Sequence, residues 1–549
     1  MHRKKYLIIL LFAVFLVLRL FVRSPFVLLG SDHIKYLELA KNFPYHTITN
    51  NQLYIDHGPL YPYVIHFFTI FFRNDYIASI MVSVLSAIVT FFLLYKLFIL
   101  LFKNFYVAFT TLILFTLSVE FIMASKTPLK ESFMVMLIFL AIYFYIRAVK
   151  FYDAKSLLYS SIFGAALAFT ADHVIFLFPT FVLSYIFFNH ERIELKRFHF
   201  PHLKYALIPF IVTLLAYGSW LGIKDYQYSH NQYYPAGLEG APVSTKNYGI
   251  TQLLNPVYFE GYDPNFQHGI NTKLRHYAFG IGYMFNTEPF SIPLGLNLTT
   301  MKYLLFPRHI AYMIFFYLPL AIFAASGFFF TIKNYARTKR IYNNYNLYLI
   351  LVFLIFIFPL TQVISSPRYI YTDYAILYYF IGFGIFMLLK KMNALEIYKR
   401  IIPLIAILLV LLIPIWIYYN HYFVFFTKKN IELQRTADYI NTNLNKNDGI
   451  MAQAGYTYKL PYLTPNRVLG LPPNSENLMP LIRYYNITYV IFGKYYTVNK
   501  YQYSKDAVEF IKNNPDKFKL VAAVKEDYNY FYAKDNGANT DEVYIYQVS

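Results

Sequence analysis

The stretch SDHIKYLELAKNF, residues 31–43, stands between a long apolar run and a polar loop. Its apolar residues recur at helical spacing. Tyr36, Leu39, Ala40 and Phe43 share one face of a helix expected over 33–43, with Ser31 or Asp32 at its cap. Asp32 therefore stands just past the end of a run long enough to cross a bilayer. A carboxylate at that boundary has two readings, a helix cap or a general base.

Working outward, the run before it begins at HRKK and continues from Tyr6 to about Leu29. It is long for a signal peptide, is interrupted by Arg19 and Arg23, and has no small-residue cleavage site. It reads as a retained first span with a cytoplasmic N-terminus. Ten further spans are expected at about 76–102, 105–122, 130–149, 156–171, 174–189, 204–223, 309–332, 346–364, 369–389 and 401–422. The run 59–72 is short and opens with Pro59 and Pro62, so it reads as interfacial. Basic residues fall in alternate loops: Arg147, Lys150 and Lys155; Arg192, Lys196, Arg197 and Lys204; Lys333, Arg337, Lys339 and Arg340; Lys390, Lys391, Lys399 and Arg400. That alternation puts them inside, and puts 30–75, 224–308 and everything after about 425 outside.

Composition agrees. Of 549 residues 57% are hydrophobic and only 14% charged, with mean hydropathy +0.39, against about 25% charged in soluble domains. A purely soluble or disordered chain is excluded. The formal charge of +20 comes from basic residues in short loops. That matches an anionic inner membrane surface, and no recognition motif points to nucleic acid. There are no cysteines, which removes disulfides, Cys-ligated zinc and thiol catalysis. The fold class expected is mainly α: a polytopic bundle of about eleven spans over 1–424, then a small α/β domain over 425–549. In that domain NIELQRTADYINTNL puts Leu433, Ala437, Ile440 and Leu444 on one helix face, and YNITYVIFGKYY, FKLVAAVKE and EVYIYQV read as strands.

Four segments, taken together, resemble the GT-C membrane glycosyltransferases, the polyprenyl-phosphate-sugar enzymes that include protein mannosyltransferases and the aminoarabinose transferase of lipid A. SDHIKYLELAKNF is similar to their D-[EAH]-x-x-Y-x-x-x-A signature. HGPLYPYVIHFF resembles their H-x-P-L-Y-P stretch. TPLKESFMVMLIFLAIYFYIRA resembles the fourth-span region, and SSPRYIYTDYAILYYFIGFGI the late P-R-Y segment. The tail, with ITYVIFG and VYIYQV, is similar to the soluble domain many members carry. Where an acidic residue commonly follows the signature Asp, this chain has His33.

The resemblance implies transfer of a sugar from a dolichyl- or undecaprenyl-phosphate donor to a protein, glycan or glycolipid acceptor on the outer face, with inversion. Asp32 matches the catalytic base. Arg368 matches the family's late Arg and, with Lys126 and Lys130, would hold the donor phosphate. His33, Tyr36, Asp56, His57, Glu131 and Tyr369 would support the site. Asp172 and His173 read as a polar turn between spans. The loop 224–308 reads as a lid over the donor or an acceptor groove; its His230, His268, His276 and Glu288 lack metal-ligand spacing. No cofactor is implied, and nothing in the spacing supports a divalent metal. The oligosaccharyltransferase reading needs adjacent tryptophans, whereas Trp220 and Trp416 stand alone. Two alternatives from other classes are a transporter or flippase, which calls for paired inverted repeats, and a GT-C-like scaffold without activity.

Overall fold

A computed structural model describes residues 2–20, 31–41, 47–48, 52–53, 58–188, 200–229, 318–339, 344–356, 371–396, 433–453, 456, 459–472, 475–493, 505–527 and 540–549. The described residues are mostly helical, with a small sheet near the C-terminus. They form two compact units.

The first unit draws on 1–23, 80–222 and 252–423. Its helices are α1 (His2–Leu20), most of α4 (Asp75–Phe102), α5 (Phe105–Leu117), α6 (Val119–Ala124), α7 (Glu131–Phe151), α8 (Ala154–Ala168), α9 (Leu177–Phe188), most of α10 (Phe200–Ser229), α11 (Leu318–Thr338), α12 (Tyr345–Phe356) and α13 (Tyr371–Lys391). α1 runs along α5 in the same direction. At one end the Lys4 ammonium sits over the Phe105 ring, 5.3 Å from its centroid; at the other Arg19 reaches the Phe115 and Thr116 carbonyls. The α7–α8 corner is built from Tyr152 in the left-handed region and Asp153. The Asp153 carboxylate accepts from Lys155 N and Ser156 Oγ and pairs with Arg147 at 3.3 Å. α11 and α13 approach through Gly327 and Gly384, each against the other helix's backbone, and stack Phe328 on Phe380 at 4.3 Å. Small residues at the contact permit such close packing where lipid supplies no hydrophobic drive.

Among the described residues three helices are long and apolar enough to cross a membrane: Asp75–Phe102, Glu131–Phe151 and Thr372–Lys391. The expected span at 105–122 is not one rod. It breaks at Ser118, whose backbone turns extended (φ −61°, ψ 119°). The Ser118 hydroxyl then accepts from Phe121 N and caps α6, because Ser competes for backbone donors and favours a helix start over a helix interior. The expected span at 401–422 lies outside the described residues.

The second unit draws on 24–79, 223–251 and 424–549. It holds α2 (Ser31–Lys41), a two-residue hairpin pairing β1 (Thr47–Ile48) with β2 (Gln52–Leu53), and α3 (Leu60–Phe72). At ~1.5 Å per residue, α3 is about 20 Å long, too short for the ~30 Å hydrocarbon core. Phe67, Ile70 and Phe71 leave one side of it apolar and exposed.

The rest of this unit is a five-stranded sheet in the order β4-β3-β5-β7-β6. Its strands are β3 (Gly449–Ala452), β4 (Arg467–Gly470), β5 (Ile487–Gly493), β6 (Phe518–Asp527) and β7 (Thr540–Val548). β3 runs parallel to β4 and β5, whereas β7 is antiparallel to β5 and β6. Side chains alternate between two cores, as the strand repeat of two demands. Met451, Leu469, Val490 and Phe492 pack on α16 (Leu478–Tyr485) and α17 (Lys505–Asn513). Ile450, Val468, Ile491 and Ile545 pack on α14 (Gln434–Asn443) and α15 (Lys459–Leu463). The N-terminus of α14 is closed from a distance: Glu526 on β6 accepts from Thr436 N and Thr436 Oγ1, at 2.5 and 2.7 Å.

Candidate functional site

In the second unit α2 begins at Ser31, two residues earlier than the spacing suggested. Asp32 thus stands in the first turn, where the positive end of the helix dipole favours a carboxylate. The side chains of Asp32 and His33 are not among those described. Beyond them Tyr36, Leu37, Glu38, Leu39 and Ala40 are all buried, each at most 2% exposed. Five consecutive buried positions cover every side of a helix. Amphipathic spacing, which among these five put only Tyr36, Leu39 and Ala40 on the shared face with Phe43, could not foresee that.

The cover comes from two directions. α3 packs on one side: Tyr36 meets Tyr61 edge-on at 5.2 Å, and His66 Nδ1 donates to the Ala40 carbonyl at 2.8 Å. These contacts join the two quoted motifs, since Tyr36 belongs to SDHIKYLELAKNF and Tyr61 to HGPLYP. α15 of the sheet domain also packs against α2. A helix whose first turn carries the candidate base is therefore held by both α3 and the C-terminal domain.

In the first unit the turn from α6 into α7 brings Lys126, Lys130 and Glu131 within six residues. Ser83 Oγ on α4 donates to the Thr127 carbonyl at 3.2 Å and fixes that turn. Lys126 and Glu131 are each 4% exposed, and Lys130 is half-buried. Burial pushes the Lys126 ammonium down to about 7, and the neighbouring Arg19 charge adds to the drop. A lysine poised near neutrality and desolvated is the kind of group that functional sites collect.

Arg19 was legible only as a charge interrupting the first apolar run. A charge inside such a run is itself a functional signal, and the structure buries it against the Phe115 and Thr116 carbonyls. Asp373, in the first turn of α13, is a second residue that sequence reasoning missed. It is fully buried, and neither carboxylate oxygen has a hydrogen-bond partner among the described residues. Asp56, His57, Arg368 and Tyr369 lie outside the described residues, as do His230, His268, His276 and Glu288. Asp172 and His173 open a 3₁₀ turn, Asp172–Phe176, and their side chains are not described. Among the described residues no three His, Asp or Glu side chains come close enough to hold a metal ion.

Comparison with known proteins agrees with this architecture. Residues 56–217 match the family model of dolichyl-phosphate-mannose-protein mannosyltransferases. No curated protein matches the chain by sequence. Among solved structures, the archaeal oligosaccharyltransferase AglB from Archaeoglobus fulgidus, in complex with an inhibitory peptide and a dolichol-phosphate, superimposes with TM-score 0.55 at 13% identity. That match covers 95% of this chain and 73% of AglB. ArnT from Cupriavidus metallidurans bound to undecaprenyl phosphate superimposes with TM-score 0.53 at 10% identity, over 98% of this chain and 97% of ArnT. Identities this low speak for the fold alone. The chain has the fold of the GT-C superfamily of membrane glycosyltransferases.

Proposed function

We propose that the protein is an integral-membrane glycosyltransferase. It moves a sugar from a polyprenyl-phosphate donor to an acceptor on the extracytoplasmic face, with Asp32 as general base. The observation that carries this reading is the meeting of α2 and α3, where Tyr36 and Tyr61 pack the two signature segments together. The family match over 56–217 supports it. So do the lipid phosphates bound by the two structural neighbours.

The chemistry is a single displacement. The acceptor oxygen attacks the anomeric carbon while its proton passes to Asp32. The bond from that carbon to the phosphate oxygen breaks on the opposite side, inverting the configuration. The lipid leaves as a phosphate monoester dianion. That group departs readily, so no second carboxylate is needed to protonate it, in contrast to glycosidases. What it needs is positive charge. Lys126 and Lys130 at the entry to α7, with Arg368, are the residues proposed to supply it. By the same resemblance Tyr36, His33, Asp56, His57, Glu131 and Tyr369 are proposed as supporting residues. In this reading about eleven spans cross the membrane, with the N-terminus cytoplasmic and the sheet domain outside. The acceptor is a protein, glycan or glycolipid.

The test is turnover by the purified protein, reconstituted in liposomes and offered a panel of polyprenyl-phosphate sugars. Release of polyprenyl monophosphate, with the transferred or hydrolysed sugar in the inverted anomeric form, is the expected result. If every donor is left intact, or the product retains its configuration, the reading is wrong.

A further inference from the structure

Asp373 stands in the first turn of α13, in a helix long and apolar enough to cross a membrane. Its exposure is 0%. Neither carboxylate oxygen has a hydrogen-bond partner among the described residues, and no basic side chain among them pairs with it. Other carboxylates of this chain show what a structural role looks like. Asp75 accepts from Tyr76 N at 2.8 Å at the start of α4. Asp153 caps α8 and pairs with Arg147. Glu526 closes α14 through two bonds. Asp373 caps nothing, since its oxygens accept from no amide of its own helix. A buried carboxylate without donors is costly. Inside an apolar bundle such a group marks a place that a ligand completes.

The course of α13 narrows the ligand. A Cβ at Gly382 would meet the Val107 carbonyl and the Thr110 side chain on α5. Four residues earlier, the Tyr378 ring stands 6.3 Å from that of Phe121 on α6. α13 therefore runs antiparallel to α5 and α6. Asp373 lies five residues beyond Tyr378, and Lys126 five beyond Phe121, off the same end of this contact. Asp373 shares a helix face with Leu377 and Phe380, the face from which Phe380 stacks on Phe328 of α11. The carboxylate is thus at the end of the bundle that carries the proposed phosphate residues, on the α11 side of its helix. A carboxylate repels a phosphate dianion. Its ligand is a neutral group rich in donors, and the part of the donor that fits is the sugar.

We propose that Asp373 binds the transferred sugar, accepting hydrogen bonds from two neighbouring ring hydroxyls of the polyprenyl-phosphate donor. This rests on the function proposed above and adds the residue that recognises the sugar. An ionised carboxylate only accepts, through two oxygens side by side. Adjacent hydroxyls present two donors to match, and bonds of this kind are short and charge-assisted. A site built on them rejects a sugar that lacks the hydroxyl, because the buried acceptor is then left unpaired. Asp373 therefore acts on the choice of sugar and leaves the lipid phosphate to other residues.

The test crosses a change in the protein with a change in the sugar. Wild type and Asp373→Asn, full-length in liposomes, are offered undecaprenyl-phosphate mannose, glucose and galactose. The hexose that wild type consumes is then compared with its ring-deoxy analogues, one hydroxyl removed in each. Wild type should lose about 10- to 100-fold in kcat/KM on two analogues lacking adjacent hydroxyls, the loss expected of a charge-assisted hydrogen bond. Asp373→Asn should fall by a similar factor on the parent donor and treat the parent and those analogues nearly alike. Its Kd for undecaprenyl phosphate, which has no sugar, should stay at the wild-type value. Its thermal midpoint should rise, because an unpaired buried charge is gone.

If Asp373→Asn slows the parent and every analogue by one factor, or keeps the wild-type preference, the assignment is overturned while the functional reading stands. If wild type consumes none of the three hexoses, the functional reading fails and the assignment falls with it. Should Asp373→Asn not fold, hydrogen exchange on wild type decides. The consumed donor should slow exchange at 371–377 beyond the effect of undecaprenyl phosphate alone. Equal exchange with the two lipids refutes the proposal.

Discussion

Replacing Lys126 by methionine should make the protein more stable while removing donor binding. The magnitude follows from burial. An ordinary lysine titrates at 10.5, and Lys126 is pushed down to about 7, first by burial and then by the Arg19 charge. The unfolded chain therefore binds more protons than the folded one between pH 7 and 10.5. Stability rises with pH over that window. The charged lysine destabilises the folded state most fully below pH 7. At about 1.4 kcal/mol per pH unit, a fall of about 3.5 in pKa corresponds to about 5 kcal/mol at pH 7 and below. At pH 9 about 1.5 remains, or about 2 kcal/mol. Methionine fills a similar volume and carries no charge. The gap between Lys126→Met and wild type should shrink by about 3 kcal/mol from pH 6.5 to pH 9. The assay is the thermal midpoint in detergent at the two pH values, with and without undecaprenyl phosphate. The ligand should raise the midpoint of wild type alone. A variant less stable than wild type at pH 6.5, or a gap that does not change with pH, would refute the reasoning.

Two further predictions concern the scaffold. Glu526 is raised from its ordinary value, chiefly by burial. Its contribution is therefore greatest below the unfolded value of 4.5 and is lost as pH rises through the folded one. Glu526→Gln keeps an acceptor for Thr436, so it should gain stability over wild type as pH goes from 4.5 to 8. Glu526→Ala, which leaves the Thr436 amide without its acceptor, should cost about 2 kcal/mol; thermal melts across pH separate the two. A Cβ at Gly384 would collide with the Phe323 backbone carbonyl, which no rotamer change relieves. Gly384→Ala should cost about 3 kcal/mol. Gly218→Ala, with open space around it, should be neutral or slightly stabilising, and the two midpoints measured side by side check both.

How much of this was legible depends on the kind of signal. The helix over 31–41 and the strands β5, β6 and β7 were visible, because apolar periodicity and β-branched or aromatic runs report directly on burial. β3 and β4 were missed. GIMA and RVLG are four residues each, too short to show alternation, and sheet position rather than pattern makes them strands. The break at Ser118 was hidden inside an apolar run, where a single serine carries little weight. The burial of all five positions from Tyr36 to Ala40 was beyond a one-face reading, because α15, more than 400 residues later, supplies part of their cover. Of the candidate site, Asp32, Lys126 and Glu131 were singled out through motif resemblance, and Tyr36 through both resemblance and spacing. Arg19 and Asp373 were not, although a charge in an apolar run was the available signal for both. The expected domain boundary near 425 followed composition, whereas Cα packing groups 24–79 with the C-terminal residues. Composition registers contact with lipid, and packing registers contact between helices.

The measurement that tests the central claim most directly is single-turnover sugar transfer by Asp32→Asn beside wild type. Both would be purified in the same detergent and offered the donor that wild type consumes. Asparagine keeps the shape and the place in the first turn of α2, and cannot take the acceptor's proton. The account predicts that the variant folds and binds undecaprenyl phosphate with wild-type affinity. It also predicts that transfer falls by about 10²–10⁴, the range that general base catalysis contributes. A variant that binds the lipid phosphate and transfers sugar at the wild-type rate would contradict it, and would leave the GT-C fold without Asp32 as its base.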